Sequence, residues 1–328
     1  MGTRNFRNPL HEAVDRRGFL KCMAWAGTGV LWSIRGGILT SRAFGQDQGA
    51  SALPAGPAKA AARTATLDFV QISDSHIGFK KAANPDTAAT FRETIARINA
   101  LEVAPAFILH TGDLTHLSEA EEFDALDQML KECKTKQVFF VPGEHDVLND
   151  DGARFRERFG KGTLGAGWSS FDVKGIHFVG LVNVQGVSEG GLGLLGVEQL
   201  AWLAKDLAPL SAETPVVVYA HVPLWMVEPK WSWGTDDGEK ALALLRRFGS
   251  VTVLNGHIHQ VMQKVEGNIT FHTARSTAFP QPAPGTAAKP GPLVVEAAKL
   301  RTTLGFRSVS CFEKPTSLAV IDATLATN

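Results

Sequence analysis

Leu67-Asp68-Phe69-Val70-Gln71-Ile72-Ser73-Asp74-Ser75-His76, residues 67–76, is a β-type run that stops abruptly on a carboxylate and an imidazole. A helical pattern follows it, with Phe91, Ile95, Ile98 and Leu101 at spacings of three and four. A second apolar run, residues 106–111, is stopped by Gly112-Asp113, and a third, residues 137–141, by Pro142-Gly143. Between them the sequence predicts a helix with Ser118 as N-cap, Glu121 at the capping-box position and Phe123, Leu126, Met129 and Leu130 on its apolar face. Further strands are expected at residues 169–173, 177–182, 215–221 and 251–254, and helices at 197–207 and 238–248. Strands joined by helices imply parallel crossovers, whereas residues 169–182 read as a hairpin. The expectation is an α/β sandwich with mixed sheets. Residues 280–292 are rich in Pro, Ala and Gly, and short runs at 304–312 and 317–322 are expected as edge strands.

The polar residues fall at strand ends. Asp74 and His76, Asp113, Glu144-His145-Asp146, His221, and His257 with His259 each follow directly on an apolar run, and five of the ten histidines lie there. In α/β folds the loops after the carboxyl ends of strands gather on one rim, where sites form. The set is too large for one tetrahedral ion and suits two metal ions sharing a carboxylate. Nitrogen and oxygen donors without thiolate select Fe, Mn or Zn. The glycines before Asp113, Glu144 and His257 are expected to turn the backbone sharply at each strand end. A glycine-rich phosphate loop is missing, so nucleotide-dependent transfer has no visible machinery.

In their order, Asp74-x-His76, Gly112-Asp113, Gly143-Glu144-His145-Asp146, His221 and Gly256-His257-x-His259 resemble the calcineurin-like metallophosphoesterase family, over about residues 67–277. Val70 to His76 and Gly256 to His259 are most similar to its bacterial cyclic-nucleotide phosphodiesterase branch. The resemblance implies a four-layer αββα sandwich with two mixed sheets and a binuclear metal centre. Asp74, His76 and His259 would then bind the first metal, Asp113 would bridge, and His221, His257 and Glu144 would bind the second. A bridging hydroxide would attack phosphorus in line, and His145, held by Asp146, would serve the leaving oxygen. The family usually has Asn where Glu144 stands. A third carboxylate lowers the positive charge of the centre and favours phosphodiesters over dianionic monoesters. The alternatives are a broad periplasmic phosphomonoesterase and a non-catalytic metal-binding protein in which Glu144 quenches the site.

Residues 1–45 are a separate object. They hold seven of the 33 Lys and Arg but two of the 33 Asp and Glu, leaving 26 bases against 31 acids, a formal charge of −5, for the rest. Arg16-Arg17-x-Phe19-Leu20-Lys21 before an apolar run closed by Arg35 resembles a twin-arginine export signal. Ala43-Phe44-Gly45 supplies the small residues a signal peptidase reads. The apolar run is short for a span. The expectation is therefore a signal peptide at 1–45, a flexible leader at 46–63 and one phosphoesterase domain at 64–328. The expected partners are a small phosphate ester and the twin-arginine export machinery, in the periplasm or outside the cell, with no stable membrane insertion. The whole chain carries no net charge, which offers nucleic acid no basic face. Cys133 and Cys311 read either as a pair or as two buried thiols.

Other residues carry open readings. His110 is expected to pack behind the site and His116 to sit at the rim, while His177 and His272 read as structural. Trp225, Trp231 and Trp233 read either as an aromatic wall for an apolar ester group or as packing. Arg275 reads either as a phosphate contact or as a surface residue.

Overall fold

The computed structural model describes residues 29–35, 38–44, 65–185, 187, 190–312 and 318–326. Strands β1 (Gly29–Arg35) and β2 (Ile38–Phe44) form an antiparallel pair by themselves. Arg16-Arg17 and the leader at 46–63 lie outside the described residues.

From Ala65 onward two sheets are built. One has the order β13-β12-β3-β4-β5, from β3 (Ala65–Ile72), β4 (Ile108–Thr111), β5 (Val138–Val141), β12 (Gly305–Phe312) and β13 (Leu318–Thr324). The other has the order β10-β11-β9-β8-β7-β6, from β6 (Ser169–Val173), β7 (Ile176–Leu181), β8 (Val216–Ala220), β9 (Val251–Asn255), β10 (Gln263–Glu266) and β11 (Ile269–Thr273). Both are mixed. β3-β4-β5 and β7-β8-β9-β11 are parallel, and antiparallel strands complete each sheet.

Three cores define four layers. On one outer face, α1 (Thr87–Asn99) and α2 (Ala120–Lys131) bury Phe91, Ile95, Ile98, Phe123 and Leu126 against Val70, Ile72 and Ile108. On the other, α4 (Val197–Leu207) and α5 (Gly238–Leu245) bury Leu203, Leu207, Leu242 and Leu245 against Val179, Val218 and Val253. Between the sheets lies a phenylalanine core in which Phe107 and Phe178 meet edge to face at 5.2 Å and Phe69 stacks on Phe107 at 5.1 Å. The alternation along β3, with Phe69 toward the partner sheet and Val70 toward the helices, is the period-two pattern of a strand covered on both faces. The four-layer αββα expectation holds.

Three details differ from the expected pattern. Helix α2 begins one residue later, and Glu122, not Glu121, turns its carboxylate back onto the N–H groups of His116, Leu117 and Glu119. Ser118 instead takes a left-handed backbone and donates to the Asp146 carbonyl. Of the two expected edge strands only β13 is at an edge, because β12 is paired on both sides, with β3 and β13. That interior place is fastened by Arg307, whose fully buried guanidinium binds the Asp322 carboxylate at 3.0 Å and the Thr273 carbonyl at 2.9 Å. Cys133 and Cys311 are buried free thiols in different cores. Two short helices, α3 (Ala153–Phe159) and α6 (Ala297–Thr303), complete the body.

Candidate metal centre

All the predicted ligands come together at the carboxyl ends of the parallel strands. Asp74 and His76 follow β3, Asp113 follows β4, Glu144 opens a single turn after β5, His221 follows β8, and His257 and His259 follow β9. Asp74, His76, Asp113, His257 and His259 all have a left-handed backbone, with φ between 40° and 66°. Non-glycine residues pay for that conformation, and such strain collects at functional sites. Leaving the strand this way aims each side chain across the rim.

The glycines ahead of the ligands serve close approach more than turning. Gly143 has an ordinary φ of −96°. A Cβ on it would collide with Asp113, and one on Gly256 would collide with Ser73 and Asp74. Gly112 does turn, at φ 95°, and its missing Cβ makes room for the His221 ring.

Two ligand groups result, Asp74 with His76 and His259, and Glu144 with His221 and His257; within each, one ligand atom per residue lies within 4.8 Å of the others. Asp113 joins them, with Oδ2 at 3.4 Å from His76 Nε2 and at 3.4 Å from His221 Nε2. Glu144 Oε2 lies 2.9 Å from His221 Nε2, and Oε1 lies 3.0 Å from His257 Nδ1. Backbone N–H groups tie two of the carboxylates: the His145 N–H donates to Asp113 Oδ1, the oxygen turned away from both histidines, at 3.0 Å, and the His257 N–H donates at 3.0 Å to Asp74 Oδ1, which also lies 3.3 Å from His259 Nε2.

The donor set fits metal ions. His221 Nδ1 donates to the Thr111 carbonyl at 2.7 Å, and His259 Nδ1 to the Phe279 carbonyl at 2.6 Å. A ring nitrogen facing a carbonyl carries the proton, so the neutral ring turns a lone pair at Nε2 into the cluster. There the two Nε2 atoms face carboxylate oxygens and, for His259, the Nε2 of His76 at 3.2 Å. Lone pairs confronting one another while buried need a cation among them. Asp74 Oδ2, His221 Nε2 and His257 Nε2 have no hydrogen-bond partner. Without a cation the ring at 221 must take up a proton: burial opposes this, but Asp113 and Glu144 push its pKa well above the usual range. Burial would raise Glu144, yet His257 and His221 hold it well below the carboxylate range. His76, under burial and the neighbouring His145 and His259, is held well below the usual histidine value.

His145 and Asp146 separate in role. The His145 ring lies 4.8 Å from the His76 ring, stacks on His116 at 4.9 Å and donates from Nδ1 to the His116 carbonyl at 2.6 Å. Burial opposes its protonation, but Asp113 and Glu144 raise its pKa. Asp146 does not hold this ring, contrary to expectation. Its carboxylate accepts from the N–H groups of Leu114 (3.0 Å), Thr115 (2.8 Å) and Gly143 (2.9 Å) and from the Thr115 hydroxyl. It therefore locks the Asp113 loop to the Glu144 turn. Burial and Asp113 raise its pKa to about 6.

The remaining candidates sort cleanly. His110 sits behind the site on the Ser75 hydroxyl at 2.8 Å, and burial lowers its pKa to about 3. His116 reaches the rim. Trp225 packs on Phe271 at 4.9 Å, away from the centre, whereas Trp231 and Trp233 line the cavity above it. Arg275 donates to the Thr302 and Thr303 carbonyls at the end of α6 and makes no part of the site. His177 and His272 stand apart from the ligands.

The cavity measures about 330 Å³ and reveals residues the sequence reading passed over, among them Phe79, Lys81, Phe279 and Gln281. Phe279 was findable: β11 runs parallel to β9, so the loop after it must reach the same rim. That loop also sends the Ser276 hydroxyl to the Asp74 carbonyl at 2.7 Å. No described helix is long and apolar enough to cross a membrane.

A two-sheet sandwich carrying two ligand groups joined by one carboxylate defines a dinuclear metallohydrolase. More particularly, residues 67–261 match the family model of calcineurin-like phosphoesterases, and the chain belongs to that family of metal-dependent phosphoric ester hydrolases. It is 28% identical over 216 residues to a probable cyclic nucleotide phosphodiesterase of Vesicomyosocius okutanii, covering 64% of this chain and 86% of that one. It is 29% identical over 217 residues to a probable glycerophosphodiester phosphodiesterase of Arcobacter nitrofigilis, covering 63% and 77%. Among solved structures, a dimetal phosphatase from Danio rerio shares the fold at a TM-score of 0.59 with 13% identity, over 80% of this chain and 98% of that one.

Proposed function

We propose that the protein is an exported phosphodiesterase with two metal ions drawn from Fe, Mn and Zn. The observation that carries the centre is Asp113 Oδ2 standing 3.4 Å from a histidine of each ligand group. Metal ions held there supply Lewis-acid polarisation of a phosphate oxygen and lower the pKa of water. The chain's own residues do the rest. The backbone N–H groups of His145 and His257 fix the carboxylates, and Asp146 keeps the two ligand loops in register. His145, with its Nδ1 proton committed to a carbonyl, carries its second proton at Nε2 and delivers it to the leaving oxygen.

Charge supports a diester. Asp74, Asp113 and Glu144 offset three of the four charges of two divalent ions, so the centre attracts a singly charged diester with less competition from a dianionic monoester. The phosphodiesterases among the relatives support the same reading. Export rests on the twin arginine and the short apolar run of residues 1–45, with 46–63 as leader.

The test is turnover of an aryl phosphodiester and the matching monoester by the protein of residues 46–328 loaded with Mn²⁺. The diester is expected to be the faster substrate, and faster monoester turnover would establish a phosphomonoesterase instead. For export, a reporter fused after residue 45 should reach the periplasm and be retained in the cytoplasm when Arg16 and Arg17 become Lys; delivery unaffected by that change would overturn it.

A further inference from the structure

The His257-Ile258-His259 turn is gripped from two sides. Trp231 and Trp233 meet edge to face at 4.9 Å and pack on Ile258, the residue between the two ligands. Their loop follows β8 and is closed by a single turn, Pro229–Trp231, whose next residue, Ser232, takes a left-handed backbone. The Val227 and Glu228 N–H groups then donate to the Trp233 carbonyl, at 2.8 and 3.1 Å. Gln281 holds the same turn from a second side, donating to the His257 carbonyl at 2.9 Å while its Oε1 accepts from the Gly291 N–H at 3.0 Å. Gln260 binds the carbonyls of Gln281 and Pro282, and the Leu293 N–H closes onto the Pro280 carbonyl at 2.8 Å. The Pro-rich stretch 281–292 is thereby a pinned strap, and its residues 290–292 share the cavity with both tryptophans.

We propose that Trp231, with the strap, forms a subsite for the ester arm that stays on phosphorus, and that it selects a flat apolar or aromatic arm over a small alkyl one. The inference rests on the phosphodiester reading above and names the substrate class within it. A rigid, largely buried indole lining the cavity offers a fixed apolar wall to a planar group at little cost in conformational freedom. The proline and glycine of the strap bring neither charge nor flexible side chain to that cavity. Tying both walls to the ligand turn fixes the arm relative to the metal ions, which is what turns binding energy into orientation at phosphorus.

Two diesters with one leaving group isolate the arm: 4-nitrophenyl phenyl phosphate and 4-nitrophenyl methyl phosphate, assayed on the Mn²⁺-loaded protein. The phenyl ester is expected to have a kcat/KM at least about 10-fold higher. Trp231→Ala should remove that preference by lowering kcat/KM of the phenyl ester about 10-fold more than that of the methyl ester at equal metal content, and Trp231→Phe should restore most of it. Equal losses on both esters with full metal content would make Trp231 a structural residue and overturn the proposal, as would no loss on either.

A binding arm keeps this separate from the reading it rests on. Phenylphosphonate should bind the metal-loaded protein at least about 10-fold more tightly than methylphosphonate, and Trp231→Ala should abolish the difference. Should only monoesters turn over, the diester reading fails while that ratio still decides the subsite. Equal binding of the two phosphonates would overturn it.

Discussion

His177 sits near the start of β7 and His221 just past the end of the neighbouring parallel strand β8, at opposite ends of one sheet, and both are raised in pKa by a pair of carboxylates against the pull of burial. They differ in what is left over. His177 gives each nitrogen a partner, Asp172 at 2.9 Å and Asp206 at 2.9 Å, and Ser170 caps Asp206. Nothing is unspent there. His221 commits Nδ1 to a carbonyl and leaves Nε2 among Asp113 and Glu144 without a hydrogen bond. A satisfied histidine–carboxylate cluster is a fastening, and an unsatisfied one, built on left-handed backbones, is a site.

The sharpest way to break this contrast is at the joint of the two ligand groups. Asp113→Asn should lower metal content from two ions to one or none and take ester hydrolysis to background, measured by elemental analysis and initial rates. Retention of both ions would remove Asp113 as the bridge. Next in size, His145→Ala should lower kcat by about 10²–10⁴-fold with metal content unchanged, and the residual rate should lose the fall at high pH that marks a required acid. A rate unchanged in the variant would leave the ring a stacking partner of His116.

A smaller effect is expected from the close approach beside Asp74. Gly256→Ala puts a methyl group against Ser73 and Asp74 and should weaken metal binding by about 10–100-fold, read by competition with a chelator, while the fold persists. At the satisfied end the effect is on stability alone. Because the folded-state pKa of His177 is raised, its contribution is fully present below the unfolded value of about 6.5 and is lost as pH rises through the folded one. His177→Gln should thus cost about 0.5 kcal/mol at pH near 5.5, seen as a lower Tm, and less near pH 8.5. A gap that widens with pH would reverse the assigned protonation.

Much of this was legible in the chain. Strands closed on both faces read as apolar runs, and 169–173 and 197–207 were bounded to the residue. The rim residues were visible because each stands at the end of such a run. What spacing could not show was where side chains go once folded. Asp146 looks like a partner for His145 by adjacency, yet three loop N–H groups claim it. The polar edge strand Gln263–Glu266 has no apolar face to betray it, and its pattern alternates between exposed and half-buried. Gln281 lies in a stretch whose composition reads as loose, and only its two hydrogen bonds reveal a strap. The left-handed ligands were equally hidden, since nothing in Asp or His marks that conformation.

The most direct test is anomalous diffraction from crystals of the protein grown with Mn²⁺. Two peaks about 3.5–4 Å apart are predicted, one among Asp74, His76 and His259 and the other among Glu144, His221 and His257, with Asp113 between them and nothing at His177. A single peak, a pair that Asp113 does not bridge, or an ion at His177 would contradict the account.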